Sequence, residues 1–415
     1  MHALTPARRV AALVALSLGG FGIGITEFAS MGVLPDIAQD LLPDFAAHPE
    51  AEISRAGILI TLYAVGVVVG APLFTILAAR ASQAKLLFWM LALFVVSSLA
   101  TVVAPTFELL AAARFVSGLP HAAYFGAAAL LAARILGPGA QGRGIAIVLA
   151  GLPIANIFGV PLATAMGQAL GWRSAYALVA AIFALVLVLA LAFVPRAPGN
   201  PSLSARGSLA GLRNVRVWIM IALASLGFSG FFALYSYIAE VTTRVTGLSP
   251  EAVPWVLACF GVGMTLGNFI GGWAADRSTP RTLVIGFVAF IGSLLLYLAV
   301  AADPVGLFVS VFLAGLTSSV LMPATQSRFI RISAEAALLG AALSHACLNL
   351  GNALGAWLGG AVIAAGFGYL SPGWVGIASA CLGLVFVALS LWVSRRDRRR
   401  FRDTTGIPLP GDAVR

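Results

Sequence analysis

Charged residues are scarce in this sequence. Of its 415 residues only 10% are Asp, Glu, Lys or Arg, whereas 60% are hydrophobic. A typical soluble domain has about 25% charged and about 45–50% apolar residues, and such a domain could not bury this much apolar surface. The composition therefore excludes a water-soluble domain and an aqueous disordered chain. It predicts a protein whose main solvent is lipid.

Cysteine is also rare, and the motifs of metal and nucleotide sites are missing. Cys259, Cys347 and Cys381 lie inside apolar segments without a near partner, so neither a disulfide framework nor a metal site is expected. The absence of a G-x-x-x-x-G-K-[ST] loop disfavours ATP-driven transport. We expect no enzyme activity and no cofactor. The net charge of +10 comes from arginine clusters between apolar runs, which argues against a nucleic-acid partner.

The apolar runs are long enough for twelve membrane crossings, because about 20 residues suffice for one. The predicted spans, numbered 1 to 12 in chain order, are 10–34, 55–79, 84–104, 107–133, 143–169, 173–194, 216–240, 252–275, 282–302, 304–328, 336–366 and 372–394. The fold class is thus an all-α integral membrane protein. We expect two six-helix bundles at 1–194 and 216–394, a linker at 195–215 and a basic tail at 395–415.

Basic residues in the loops predict the orientation of these spans. With the N-terminus in the cytoplasm, 21 of the 25 Lys and Arg residues fall on the cytoplasmic side. The first loop on the opposite side is acidic. We therefore expect both termini in the cytoplasm, and we expect a monomer. The single lysine, Lys85, among 24 arginines suggests a GC-rich bacterial source, and hence a bacterial cytoplasmic (inner) membrane.

The two halves of the chain are related by an internal repeat at an offset of 196 or 197 residues. The aligned segments are Val65-Gly66-x-x-x-Gly70 with Val262-Gly263-x-x-x-Gly267, Phe115 to Leu119 with Phe312 to Leu316, and Asn156-x-x-Gly159 with Asn352-x-x-Gly355. Duplicated bundles place a solute site at their interface near mid-membrane. Rocking of one bundle against the other then gives alternating access to the two sides.

Small residues recur every four positions on span 5, from Gly151 to Gly167, and again on span 11. Such stripes let helix backbones approach closely in lipid. Two interpretations remain open: static packing, or a seam that separates and reseals as the bundles rock. Pro153 and Pro161 favour a bend within span 5.

The motifs of these spans resemble those of the major facilitator superfamily, and within it the twelve-span drug:proton antiporters and their arabinose (sugar) efflux branch. The matching runs are Gly24 to Asp36, Tyr63 to Pro72, Arg114 to His121, Gly151 to Pro161 and Asn349 to Gly355. The resemblance covers nearly the whole chain. It implies two pseudo-symmetric bundles and proton-driven efflux.

The superfamily's Gly-x-x-x-Asp-Arg loop motif is matched in the second half by Gly272 to Arg277, whereas the first half keeps only the arginine, since Ala79 stands at the acidic position. The resemblance implies that the acid caps or pairs with a neighbouring helix in one conformer, which agrees with helix-end electrostatics. The candidates for conformational roles are Gly70, Arg80, Gly151, Gly159, Pro161, Gly272, Asp276, Arg277 and Gly355.

Ionisable residues inside spans are costly and are therefore candidates for the transport site. Glu27 on span 1 and Arg114 on span 4 are expected at similar depth, where they would form an ion pair. Glu27 is the expected proton carrier; a purely structural pair and recognition of substrate charge are the alternatives. His121 is a proton relay or a neutral hydrogen-bonded imidazole, and Asp36 is an acid at the water boundary through which protons arrive. No second carboxylate is expected inside the spans of the second half.

Amide and aromatic side chains predict an amphiphilic lining for the solute site. The candidates are Tyr124, Asn156, Phe231, Phe232, Tyr235, Tyr237, Gln326, Asn349 and Asn352. For Asn156 and Asn352 an interhelical tie is the alternative role. We expect export of a small sugar-like or drug-like molecule by proton antiport. A proton-independent facilitator or uptake permease is the alternative, and a non-transporting sensor a remote one.

Overall fold

The computed structural model of the protein describes residues 5–78, 82–137, 141–195, 214–332 and 337–405. Within these ranges the elements are helices and helical turns, with no strand. Arg80, most of the predicted linker and residues 406–415 of the predicted tail lie outside the described residues.

The first half contains six membrane crossings. Spans 1, 2, 3 and 6 are the helices Pro6–Gly32, Pro49–Ala78, Gln83–Val103 and Arg173–Phe193. Span 4 consists of Phe107–Gly118 and His121–Leu136. Span 5 consists of Gln141–Leu149, Gly151–Ile154, the π-helical turn Ala155–Gly159 and Val160–Leu170. The short helix Leu34–Leu41 and the 3₁₀ turn Pro43–Ala46 connect spans 1 and 2.

The second half repeats this arrangement. Span 7 is Val215–Ser236, followed by the short helix Ile238–Glu240 and the π-helical turn Val241–Val245. After the 3₁₀ turn Pro250–Ala252, spans 8 and 9 form one helical segment, Val253–Val300, interrupted at Ser278 (φ −161°, ψ 92°). Span 10 is Pro304–Ile332, span 11 is Ala337–Val362 with the π-helical turn Ile363–Phe367, and span 12 is Ser371–Thr405.

The number of crossings agrees with the sequence prediction. Eleven helices in the described chain are long and apolar enough to cross a membrane, and one of them, Pro250–Val300, has 51 residues. At 1.5 Å per residue this helix is roughly 76 Å long, enough for two crossings of a core about 30 Å thick. The helical end of span 12 also includes part of the predicted tail, because helix Ser371–Thr405 continues past residue 394.

An equivalent close glycine contact occurs inside each of the two bundles. A Cβ atom on Gly70 of span 2 would collide with the Leu119 carbonyl of span 4. A Cβ on Gly267 of span 8 would collide in the same way with the Leu316 carbonyl of span 10. The two contacts are related by the sequence offset of 197. The repeat is therefore a repeat of close helix packing, which requires the smallest side chain at these positions.

The outward surface of the bundles is apolar. Trp89, Val103 and Phe269 are 74%, 73% and 72% exposed. Large apolar side chains that face outward suit contact with lipid and not with water. The protein therefore has an apolar outer surface that suits the lipid environment predicted from composition.

The two bundles touch each other on one side of the membrane. Twelve crossings bring both ends of the described chain to one side, here called the terminal side; the other is the distal side. Gln168 Nε2 at the end of span 5 donates to the Pro250 carbonyl before span 8, at 2.9 Å. Thr61 Oγ1 on span 2 donates to the Ala353 carbonyl on span 11, at 3.4 Å. These contacts close the distal side.

A carboxylate of the second half is buried in the distal contact, against the sequence prediction. Glu240, at the last residue of predicted span 7, is 1% exposed and accepts a hydrogen bond from Arg244 Nε. The Arg244 guanidinium lies 5.6 Å from the Tyr369 ring centre and 5.8 Å from that of Phe45, which belongs to the first half. The sequence analysis missed this acid because Glu240 is the end residue of predicted span 7, directly before the π-helical turn Val241–Val245.

We expect the stability of the protein to fall as pH rises because of Glu240. Burial raises the pKa of this carboxyl above its ordinary value of 4.5, although Arg244 opposes the shift and Asp36 adds to it. A raised pKa in the folded state gives stability that is complete below the unfolded value and is lost as pH rises through the folded value. Thermal unfolding between about pH 5 and about pH 8 should therefore show a decline that is smaller in Glu240→Gln.

The neighbours of Glu240 provide the control for this experiment. Besides Arg244 and Asp36, the titratable groups around it are Tyr369 and, beyond it, Glu50. Burial, and to a smaller extent the charge of Glu240, raises the pKa of Tyr369 to about 12. The tyrosine therefore stays neutral over the pH range of the experiment. Glu50→Gln should keep the wild-type slope. An identical slope in wild type and Glu240→Gln would contradict the prediction.

Candidate functional site

A cavity of about 200 Å³ lies between the two bundles, on the terminal side of the distal contacts. Its polar lining consists of Glu27, His121, Asn156, Thr265, Asn268, Ser319, Gln326 and Asn349. Its apolar lining includes Phe28, Leu152, Phe232, Met264 and Met322. Among the described residues that line it, Glu27 is the one acid and none is Lys or Arg. The cavity thus offers amides, hydroxyls and apolar faces with a single carboxyl.

Glu27 connects the two bundles at the inner end of this cavity. It is 6% exposed, and its Oε1 accepts a hydrogen bond from Asn352 Nδ2 of span 11 at 3.3 Å. The next ring along span 1, Phe28, contacts Tyr235 of span 7 edge to face with centres 5.4 Å apart. Glu27 therefore belongs to both the cavity wall and the contact between the halves.

Arg114 does not form the predicted ion pair with Glu27. Its two terminal nitrogens donate instead to the Thr26 carbonyl (2.9 Å) and to Thr26 Oγ1 (3.2 Å), and between the described atoms of Glu27 and Arg114 there is no salt bridge. The guanidinium also lies over the rings of Tyr63 (4.4 Å) and Tyr176 (5.5 Å). The arginine is fully buried, so it holds the backbone of span 1 directly before the acid. The sequence predicted the shared depth correctly but not the partner.

We expect Arg114→Lys to destabilise the protein. Lysine keeps the charge but lacks the planar fork that bonds both oxygens of Thr26 and stacks on Tyr63. The loss should be about 2–3 kcal/mol of unfolding free energy. Chemical unfolding in detergent measures it. Arg55→Lys is the control, because Arg55 is 45% exposed at a surface ion pair, and it should change stability by less than about 0.5 kcal/mol. Equal losses in the two variants would contradict this role.

His121 lies in the cavity wall and contacts a tyrosine of span 2. Its Nδ1 is 3.0 Å from the Tyr63 hydroxyl. His121 is the first residue of the second helix of span 4, directly after Pro120. Tyr63 also carries the Arg114 guanidinium on its face. Span 4 therefore contributes two basic side chains around Glu27, one in the cavity wall and one behind it.

Asn156 lies where span 5 departs from α-helical geometry. It belongs to the π-helical turn Ala155–Gly159, lines the cavity and is 4% exposed. Its backbone oxygen faces Gly261 of span 8, where an added Cβ would lie 2.5 Å away. The π-helical turn thus places the Asn156 side chain in the cavity wall and packs its own backbone against span 8 of the other half.

Four of the nine predicted solute-binding residues line the cavity, namely Asn156, Phe232, Gln326 and Asn349. Tyr124 lies outside it, with its hydroxyl donating to the Leu16 carbonyl at 2.9 Å. Tyr237 likewise donates to the Ala356 carbonyl at 2.6 Å. Phe231 and Tyr235 stack on each other behind the wall, and Asn352 contacts Glu27. Periodicity placed these residues on the right spans but did not determine which faces meet the cavity.

The predicted conformational residues fall into two groups. Gly151 and Gly159 of span 5 pack against Phe21 of span 1, and Gly355 of span 11 packs against Ser229 of span 7. Each of these contacts lies within one bundle, as static packing requires, and Pro161 follows the π-helical turn. Between the bundles the close backbone contact of span 5 is that of Asn156 with Gly261, beside the hydrogen bonds already described across the halves.

The loop motif between spans 8 and 9 has free space beside its glycine in this structure. Nothing lies within 4 Å of a Cβ on Gly272. Asp276 is exposed, and Arg277 donates to the Trp273 carbonyl at 3.2 Å and stacks on its ring. Asp36 is half-buried in the short helix after span 1, away from the cavity lining.

The sequence analysis missed six cavity residues of spans 8 and 10. They are Met264, Thr265, Asn268, Ser319, Met322 and Pro323. The signal that points to them is the repeat itself, because spans 8 and 10 correspond to spans 2 and 4, which carry the first-half motifs. Polar positions three residues apart on span 8, at 265 and 268, share a helix face.

Two repeated six-helix bundles with a cavity between them are the architecture of a secondary membrane transporter. The family model of the Major Facilitator Superfamily matches residues 16–246 and 217–413, and the chain belongs to this superfamily. Its members with this fold are transporters and not enzymes.

Individual relatives agree with the assignment. The chain is 35% identical to the inner membrane transport protein YdhP of Escherichia coli (strain K12), over 91% of this chain and 95% of the relative. It is 30% identical to the chloramphenicol resistance protein of Streptomyces lividans, over 97% and 99%. A crystal structure of a bacterial homologue of the lysosomal transporter Spinster, described as inward-facing and unoccupied, shares the fold: TM-score 0.68, 16% identity, 94% of this chain and 98% of that chain.

Proposed function

We propose that this transporter exports a small neutral or weakly polar molecule, sugar-like or drug-like, in exchange for protons. The observation that carries the proposal is the position of Glu27, a single buried carboxyl that lines the cavity and touches the other half. An ionisable group at this point can exchange protons with whichever side the cavity faces.

The lining favours a solute without negative charge. Lys and Arg are missing from its described residues, and four amides and two hydroxyls stand beside Phe, Met and Leu side chains. Amides bond sugar hydroxyls, and apolar faces suit pyranose rings or planar drugs. The resistance named for the chloramphenicol relative supports the drug-like class, while the efflux motifs of the sequence support the sugar-like class.

The export direction rests on the resemblance to efflux permeases and on the relative named as a chloramphenicol resistance protein, and the orientation that we propose for the chain says which side each part of the site faces. Most basic residues lie on the terminal side, which the positive-inside rule makes cytoplasmic. The cavity then faces the cytoplasm and loads solute there, and the distal contacts face the periplasm. We propose that the protein works as a monomer in the bacterial cytoplasmic membrane.

Reconstituted vesicles test this function. Pentoses, thiogalactosides and amphenicols are added one class at a time to vesicles with an internal pH dye, with and without an imposed pH gradient. Solute-dependent proton movement supports antiport and identifies the substrate class. Solute movement at equal rate with and without the gradient, and without a dye response, would instead show a facilitator.

A further inference from the structure

The contact between Glu27 and Asn352 joins a cavity residue of the first half to a fully buried amide of the second. Asn352 is 0% exposed, and its Nδ2 donates to Glu27 Oε1 at 3.3 Å. The neighbouring backbone also bridges the halves, since the Ala353 carbonyl accepts from Thr61 Oγ1. Span 11 is therefore docked on the first half at the level of the acid.

This hydrogen bond requires contact between the two halves. Glu27 and Asn352 belong to opposite bundles, so rocking that opens the distal side separates spans 1 and 11 and removes the amide from the acid. An N–H donor stabilises the ionised form of a carboxyl group more than the protonated form. Docking thus supplies the acid with a donor at the same moment that the cavity opens to the terminal side.

Other groups near Glu27 do not provide this hydrogen bond, although the charge of Arg114 also acts on the carboxyl group. Arg114 on span 4 directs its two terminal nitrogens to Thr26, and Tyr63 on span 2 is engaged by His121. The Tyr235 hydroxyl on span 7 is buried without a hydrogen-bond partner among the described residues. Among the hydrogen bonds given for the described residues around Glu27, the one that reaches its carboxylate comes from Asn352.

We propose that Asn352 is a positioning residue for proton release: docked on Glu27, its carboxamide makes the acid give up its proton into the cavity on the terminal side. The inference rests on the proposed function, because it requires Glu27 to carry the transported proton. It assigns the amide to proton coupling and not to solute binding, and it connects proton release to closure of the distal side.

Infrared difference spectroscopy of the reconstituted protein tests this, because a protonated carboxyl group has its own C=O band. The band is titrated with pH in wild type, Glu27→Gln and Asn352→Leu. Leucine keeps the shape of the amide and removes the donor. We expect Glu27→Gln to remove one component of the band, while other carboxyl groups, Glu240 among them, keep theirs. In Asn352→Leu the midpoint of the Glu27 component should move to higher pH by about one unit, a tenfold change in proton affinity.

Asn349→Leu is the matched control, since it makes the same exchange one turn earlier on the same helix, in the cavity wall. It should change the solute affinity and shift the midpoint by less than about 0.3 unit. If Asn352→Leu does not fold, Asn352→Val is compared with Asn352→Thr. The two side chains have nearly the same shape, but only threonine has a hydroxyl donor. The midpoint of the valine variant should therefore lie at the higher pH.

The outcomes separate this inference from the proposed function. An unchanged band in Glu27→Gln means that Glu27 does not titrate, and it overturns the proposed function. A component that is lost in Glu27→Gln but has its wild-type midpoint in Asn352→Leu leaves that function intact and overturns the role of Asn352. Equal shifts in the variants at 349 and 352 also overturn it, because general loss of polarity then explains both.

Discussion

Glu27→Gln should abolish proton-driven accumulation of the solute while leaving its exchange between the two sides of the membrane. Glutamine has nearly the same shape and can accept from Asn352, but it cannot release a proton. With one proton per solute, a pH gradient of one unit supports at most about tenfold accumulation. That ratio should fall to one in the variant.

Two assays on the same vesicles measure this effect. Accumulation against a gradient reports coupling, and counterflow of labelled solute reports movement alone. Glu108→Gln is the control, because Glu108 is 73% exposed at the distal end of span 4, and it should accumulate solute like wild type. Undiminished accumulation by Glu27→Gln would exclude Glu27 as the proton carrier.

The same Gly→Ala exchange at three positions of span 8 should have three different results. A Cβ at Gly261 would lie 2.5 Å from the Asn156 oxygen of the other half, whereas one at Gly267 would meet Leu316 within the same half. At Gly272 nothing lies within 4 Å. We therefore expect Gly261→Ala to hinder distal closure, Gly267→Ala to weaken its own bundle, and Gly272→Ala to do neither.

The magnitudes follow from packing. An inserted methyl group in a tight contact costs about 1–3 kcal/mol, so Gly261→Ala should shift the conformational equilibrium by roughly 5- to 150-fold. Gly267→Ala should lower the unfolding free energy by about 1–3 kcal/mol. Gly272→Ala should be neutral or more stable by up to about 1 kcal/mol, because alanine is the better helix former.

Labelling and unfolding distinguish the three variants. A cysteine in place of Gln168, which bonds Pro250 across the distal contact, is labelled in a background without Cys259, Cys347 and Cys381. Labelling should be faster in Gly261→Ala than in the other two. Thermal unfolding should be lowered most in Gly267→Ala. Faster labelling in Gly272→Ala would show that the method reports something other than the Gly261 contact.

The twelve crossings and the two halves were predictable because they depend on local composition. A span needs about 20 apolar residues whatever its neighbours are, and the duplicated glycines at 70 and 267 are visible as a repeat. The same holds for Glu27, since an acid in an apolar run has a cost that sequence alone reveals.

The partners of these residues depended on contacts between distant segments. Arg114 bonds Thr26, and Glu27 bonds Asn352, 325 positions along the chain. A local sequence pattern does not show how far one span is rotated about its axis relative to another. For the same reason the sequence could not separate Phe232, in the cavity wall, from Phe231, behind it.

The sequence by itself determined the solvent, the number of crossings, the duplication and the depth of the buried charges, because each of these depends on the order of residues along one helix. The tertiary structure alone decided which acid meets which amide, which glycines form the seam between halves, and where Glu240 is buried. These depend on how helices rotate and pack against each other, and close packing of small residues leaves that rotation to the whole bundle.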